Sequence, residues 1–214
     1  RFAHAPRSRF EYSNIGAAIL GMALQRSAAT PFTKLVSDEI SSTLGLDVTR
    51  FQPPEDLTYL ATGYEQLVDG SISSRKAGRQ HKGRGFRLPS GGMYSRPSEI
   101  ATLFWALSPR APNVLLSHAS RQSIILPAIR KSEECPPGPS NAYGLGVELY
   151  LKGTEIVAYG HHGDMTGYGA IVLSDPVRGV TICVCSNFRN SEDFGMEKSL
   201  DLLLAASKNL NSPF

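Results

Sequence analysis

Residues 143–186 read YGLGVELYLKGTEIVAYGHHGDMTGYGAIVLSDPVRGVTICVCS, and the fold turns on them. Four runs in this stretch have β character: 143–151, 154–159, 168–174 and 179–186. Lys152-Gly153 separates the first two and Asp175-Pro176-Val177-Arg178-Gly179 the last two. Residues of these types favour tight turns, so the runs read as an antiparallel meander. Downstream, Leu200, Leu203, Leu204 and Leu210 recur at helical spacing, and a terminal helix built on them covers one face of the sheet. The other face is apolar too, so something else has to pack on it.

Upstream of Cys135-Pro136-Pro137-Gly138-Pro139 the periodicity is helical. Ile15, Ala18, Ile19, Met22 and Ala23 recur at three and four residues, which predicts a helix over 13–27 buried on one face. Thr30-Pro31 supplies an N-cap and a first-turn proline for a second helix through Phe32, Leu35, Val36 and Ile40. Ser95-Arg96-Pro97 starts another, and 117–126 gives one more before Pro127. Residues 50–90 are rich in Gly, Pro and charge without clear periodicity, and no element is assigned there. Helices first and an antiparallel sheet after them make an α+β fold. The chain divides into a mainly helical part, 1–142, and a sheet part with its terminal helix, 143–214.

The 214 residues are 41% hydrophobic and 19% charged, an ordinary globular composition with enough length to bury a core. The longest nearly unbroken apolar stretch, 15–24, is about half of what a bilayer crossing needs, so no membrane span is expected. A net charge of +3 is too small to argue for a nucleic-acid partner. The basic residues Arg75, Lys76, Arg79, Lys82, Arg84 and Arg87, set among glycines, read as a solvated loop. Because the sequence opens on Arg1, the expectation is of a processed, trimmed or incomplete chain. Cys183 and Cys185 share a strand face and read as buried small hydrophobes, while Cys135 stands alone in its loop.

Two constellations carry chemistry. Tyr12-Ser13-Asn14 stands at a helix entrance, where a tyrosine can carry a proton and an asparagine can hydrogen-bond an amide or ester. The same three residues also suit a plain N-cap. Gly160-His161-His162-Gly163-Asp164 adjoins a strand; Gly163 permits close approach of a substrate, and the nearby N–H groups suit an oxyanion. Adjacent histidines on a strand face opposite sides, and no third ligand lies at zinc spacing, so neither a metal nor a cofactor is expected.

In this order the motifs resemble serine hydrolases of the β-lactamase and penicillin-binding type, which use S-x-x-K, S-D-N or Y-x-N, and K-T-G or a variant. The branch nearest class C β-lactamases, D-aminopeptidases and their esterase relatives has Y-x-N second and often H-x-G third. Here these read Tyr12-Ser13-Asn14 and His161-His162-Gly163. Between them, Leu44-Gly45-Leu46-Asp47-Val48-Thr49 resembles the family's L-G-M-x-x-T turn and Ala61-Thr62-Gly63-Tyr64 its A-x-G-Y segment. Pro89-Ser90-Gly91-Gly92-Met93-Tyr94-Ser95-Arg96-Pro97 resembles its glycine turn and following helix start. Tyr143-Gly144-Leu145-Gly146 and Ser186-Asn187 match a strand start and a strand end.

The resemblance implies an incomplete β-lactamase/transpeptidase-like fold and an acyl-enzyme mechanism on a small ester or amide. Tyr12 and His161 would be catalytic, with Asn14, His162, Gly163 and Asp164 binding substrate and the backbone N–H of Asp164 serving as an oxyanion donor. A neutral His161 in place of the motif lysine points away from β-lactamase activity and towards esterase or peptidase chemistry. The family's nucleophilic serine and its lysine stand upstream of Y-x-N, and the one S-x-x-K here, Ser73-Ser74-Arg75-Lys76, is downstream and in the wrong setting. The expectation is therefore a chain without its nucleophile, nearly inert alone and completed by the missing N-terminal segment or a partner chain. The alternative is a non-catalytic penicillin-binding-like module that holds peptide or cell-wall fragments.

Overall fold

A computed structural model of the chain describes residues 5, 8, 10–75, 85–127, 129–130, 142–189 and 196–209. The expectations for Cys135, Leu210 and the basic residues between 76 and 84 lie outside them. Helix α1 (Asn14–Ala28) begins where Ser13, in extended backbone, accepts the Gly16 N–H on its Oγ at 3.0 Å. It ends at Ala29, the one non-glycine residue with positive φ (49°) among the described residues. The helix forms where the periodicity predicts, but its apolar stripe is not buried. Ala18 is covered, whereas Ile15, Ile19 and Met22 are 68%, 59% and 51% exposed. What packs on α1 is the short 3-10 turn Gly85–Ser90, with Pro89 directly over Gly21, and the start of the next helix at Phe32, and together they leave the stripe open.

Helix α2 (Phe32–Val36) runs on through a π-helical turn, Ser37–Ser41, and a last turn, Ser42–Leu44, and stops at Gly45 with φ 65°. Helix α3 (Pro97–Ala106) has proline in its first turn and no side-chain cap; instead its Glu99 reaches across to the turn after Gly45. The Glu99 carboxylate, 4% exposed, accepts the N–H of Thr49 at 2.8 Å and its hydroxyl at 2.6 Å, and pairs with Arg96 at 3.0 Å. Helix α4 (His118–Ile124) is capped by Ser117 and buries Arg121, whose guanidinium donates to the carbonyls of Ala111, Pro112 and Leu116. Helix α5 (Met196–Asn209) closes the described chain.

The unassigned 50–90 stretch yields a hairpin, β1 (Gly63–Gln66) and β2 (Ile72–Arg75). Strands β3 (Ile129–Arg130), β4 (Ala142–Tyr143), β5 (Glu148–Lys152), β6 (Glu155–Met165), β7 (Tyr168–Ser174) and β8 (Thr181–Ser186) form one antiparallel sheet in chain order. Strand β9 (Phe188–Arg189) leaves β8 and pairs parallel to β1. The meander is thus the expected one with two differences. The first run is broken at Gly146 (φ 76°), where Gly144 N–H bonds Val147 O at 2.8 Å. The second does not end at Tyr159 but continues through the histidine pair to Met165.

Both faces of the sheet are covered. Tyr150, Ala158, Ile171 and Leu173 pack on Leu203 of α5, as the leucine spacing predicts. Ala142, Val147, Leu149 and Tyr159 form the second core with Phe104 of α3 and Ile124 of α4, so the helical part supplies the missing cover. The Tyr159 hydroxyl donates to Phe104 O at 3.1 Å, giving the buried phenol a partner. Cys183 is half-buried and Cys185 exposed, their sulfurs 4.0 Å apart. Cys185 departs from the expected burial: it stands exposed on β8, the edge strand of the sheet among the described residues. No helix of the described residues is long and apolar enough to cross a membrane.

Candidate active site

The entrance of α1 and the middle of β6 meet. The Tyr12 hydroxyl, exposed before the first helical residue, donates to Asn14 Oδ1 at 3.2 Å. The Tyr12 ring stands against His161, centroids 6.0 Å apart and planes tilted by 45°. Tyr12, Asn14 and His161, separated by most of the sequence, therefore share one surface region. Ser13 between them is the N-cap, so the capping role and the clustering hold together.

His161 is fixed from both ring nitrogens. Nδ1 lies 2.5 Å from its neighbour's carbonyl, His162 O, which can only accept; the neutral ring thus carries its proton on Nδ1. Nε2 is left to accept the Tyr143 hydroxyl at 2.8 Å. Burial first, then the negative charges of an ionised Tyr12 and of Glu148, push the Tyr143 phenol up to about 12, so it stays a donor. Phe10 packs on the Tyr143 ring at 5.0 Å.

The histidines do not face opposite sides. Their rings stack at 5.7 Å with an interplanar angle of 24°, and His162 Nδ1 lies 3.0 Å from Glu148, a carboxylate only 5% exposed. Sheet register explains the convergence. Tyr143 pairs with Glu148 and Glu148 with Gly160, which sets the three in one row across β4, β5 and β6. The row passes through a residue without a side chain, and both imidazoles gather beside Tyr143 and Glu148. Only glycine is accepted at that point: a Cβ on Gly160 would lie 1.9 Å from Val172 O of β7.

Gly163 and Asp164 follow on β6, opposite Ala170 and Gly169, and a Cβ at Gly163 would meet nothing within 4 Å, so the surface there is open. Ser73 of the rejected S-x-x-K lies on β2 opposite Glu65, not at a helix start. Three residues of this cluster escape a reading by motif. Tyr143 reads as a strand start, Glu148 as an isolated acid in an apolar run, and Phe10 has no mark. An acid at 148 flanked by Val147 and Leu149 was the available signal, since a buried carboxylate requires a partner. A separate cavity of about 230 Å³, lined by Phe32, Val36, Leu46, Phe51, Met93 and Leu103 among others, includes none of the cluster.

A family model described as Beta-lactamase matches residues 1–206. The chain belongs to the Beta-lactamase family. Solved structures of similar fold include a penicillin binding protein from Bacillus halodurans, 22% identical with TM-score 0.71 over 97% of this chain and 58% of that one. A D-amino acid amidase from Ochrobactrum anthropi SV3, complexed with L-phenylalanine amide, is 22% identical with TM-score 0.76, over 98% of this chain and 60% of its own. An octameric penicillin-binding protein homologue from Pyrococcus abyssi is 20% identical with TM-score 0.76, over 98% of this chain and 44% of its own. This Beta-lactamase-family chain thus spans less than two thirds of each relative. No curated protein matches it in sequence.

Proposed function

We propose that these residues form one wall of a serine-hydrolase site that opens small esters or amides through an acyl-enzyme, the nucleophilic serine and its lysine coming from a part of the fold outside residues 1–214. The observation that carries this reading is Tyr12, bonded to Asn14 and standing against His161. Tyr12 moves the nucleophile's proton, as a phenol near a lysine is suited to do. Asn14 orients the substrate carbonyl group, and the Gly163–Asp164 backbone, where the strand is open, receives the oxyanion. His161, held by Tyr143, stands where the family motif has a lysine, and the lack of that permanent charge favours uncharged esters and amides over penicillins. His162 lines the same surface.

The direct test is labelling with a fluorophosphonate, followed by intact mass, alongside hydrolysis of p-nitrophenyl acetate. The 214-residue chain is compared with a longer version carrying an S-x-x-K element. Label on the longer version alone is expected, because loss of a nucleophile lowers turnover on the order of a million-fold. Stoichiometric label on the short chain, at Ser73 or elsewhere, defeats the proposal. In the longer version, Tyr12→Phe should lower kcat by about a hundredfold or more, the usual size of a lost proton-transfer group.

A further inference from the structure

Glu148, His161 and His162 present one ligand atom each, and these atoms all lie within 4.8 Å of one another. We propose that the three residues bind a divalent transition-metal cation of the zinc type. Two imidazoles and a carboxylate are the donor set of open zinc sites, and the mix of nitrogen with one oxygen disfavours magnesium and calcium.

The hydrogen bonds around the cluster resemble an arranged outer shell. His161 donates Nδ1–H to a backbone carbonyl, the usual way in which a ligating histidine has its tautomer fixed and its other nitrogen offered. That other nitrogen, Nε2, now accepts from Tyr143, so a bound cation would take the lone pair and release the phenol. Glu148 is buried and receives the Tyr150 hydroxyl at 3.2 Å, which orients its carboxylate. It also stands against His162 Nδ1 at 3.0 Å, where a cation would replace the shared proton. With metal–ligand bonds of about 2.0–2.1 Å, tetrahedral donors stand about 3.4 Å apart, so the third ligand has to move by up to about 1.4 Å. The His162 side chain is 52% exposed, and a fourth position is open to water on that side.

The consequence deepens the proposed function while resting on separate chemistry. An occupied site withdraws His161 from Tyr143 and from the Tyr12 face, so zinc would act as an inhibitor of the same surface. The test reads binding rather than hydrolysis, which keeps it apart from the fluorophosphonate result. Zn²⁺ is titrated calorimetrically into the full 214-residue chain, and Co²⁺ is followed by visible absorption. One-to-one binding with four-coordinate cobalt bands is expected, weakened at least tenfold in each of His161→Gln, His162→Gln and Glu148→Gln. No saturable one-to-one binding, or unchanged affinity in any of the three variants, overturns the proposal. His162→Gln alters an exposed side chain and keeps the test decisive if Glu148→Gln does not fold.

Discussion

Glu99 shows how much a single buried carboxylate can hold. It joins the first turn of α3 to residues 48 and 49, and Thr49, having donated to Glu99, accepts in turn from Ser95 at 2.6 Å. Burial alone would raise its pKa, but the Thr49 and Val48 hydrogen bonds and the Arg96 charge outweigh burial and hold it below its ordinary 4.5. Asp175 follows the same logic: burial is outweighed by the N–H groups of Arg178 and Val177 and by the Arg178 side chain, and its pKa falls below 3.8. A carboxylate whose pKa is depressed on folding stabilises the fold above its unfolded value and loses that contribution as pH falls through the folded value. Melting temperature should therefore hold near neutrality and drop as the pH descends below about 4.5, and Glu99→Gln should flatten the upper part of that drop. At neutral pH the same substitution should cost about 1.5–3 kcal/mol, the range for hydrogen bonds to a buried charge, measured by urea unfolding.

Helix α1 contains two small residues whose substitution should act against each other. Replacing a helical glycine by alanine normally stabilises by about 1 kcal/mol. At Gly21 the new methyl would lie 2.2 Å from the Pro89 ring, so Gly21→Ala should instead destabilise by about 1–3 kcal/mol and loosen α1 from the 3-10 turn. Ala29 sits in left-handed backbone at the helix end, and Ala29→Gly should raise stability by about 0.5–1 kcal/mol. Thermal unfolding of both variants measures the two signs directly. The periodic segments were legible: α1, the start of α3, and strands β7 and β8 stand where spacing and caps put them, whereas the expected Thr30 cap of α2 is not made, because Pro31 takes the N-cap position and the Thr30 hydroxyl turns back to Ala28 O at 3.0 Å. β6 was cut short because the glycines around the histidine pair interrupt the β-type run after Tyr159, whereas in the sheet Gly160 lets the strand run close to β7. The Tyr12, Asn14 and His161 cluster was legible only as two distant motifs. Glu148 was not, because its place beside His162 is set by cross-strand register, which no spacing along the chain reveals.

The molecule as a whole builds a core on each face of its sheet and yet leaves apolar surface elsewhere. Ile15, Ile19, Leu20, Met22 and Leu24 of α1 are each close to half exposed or more. Contiguous apolar surface of this kind binds hydrophobic dyes and promotes association. The 214-residue chain should therefore enhance ANS fluorescence and sediment as a concentration-dependent mixture, and Ile15→Glu with Ile19→Lys should suppress both effects. A second property follows from the small parallel seam between β1 and β9. Asn187 donates to Thr62 O, 125 residues away, at 2.9 Å, and Tyr64 N–H bonds Asn187 O at 2.7 Å. The meander between β5 and β8 needs only short excursions to assemble, while this seam has to gather most of the chain first. Loop-closure entropy rises with that length, so the seam should form later in refolding than the meander and exchange its amide hydrogens sooner, an order that pulsed hydrogen exchange reads.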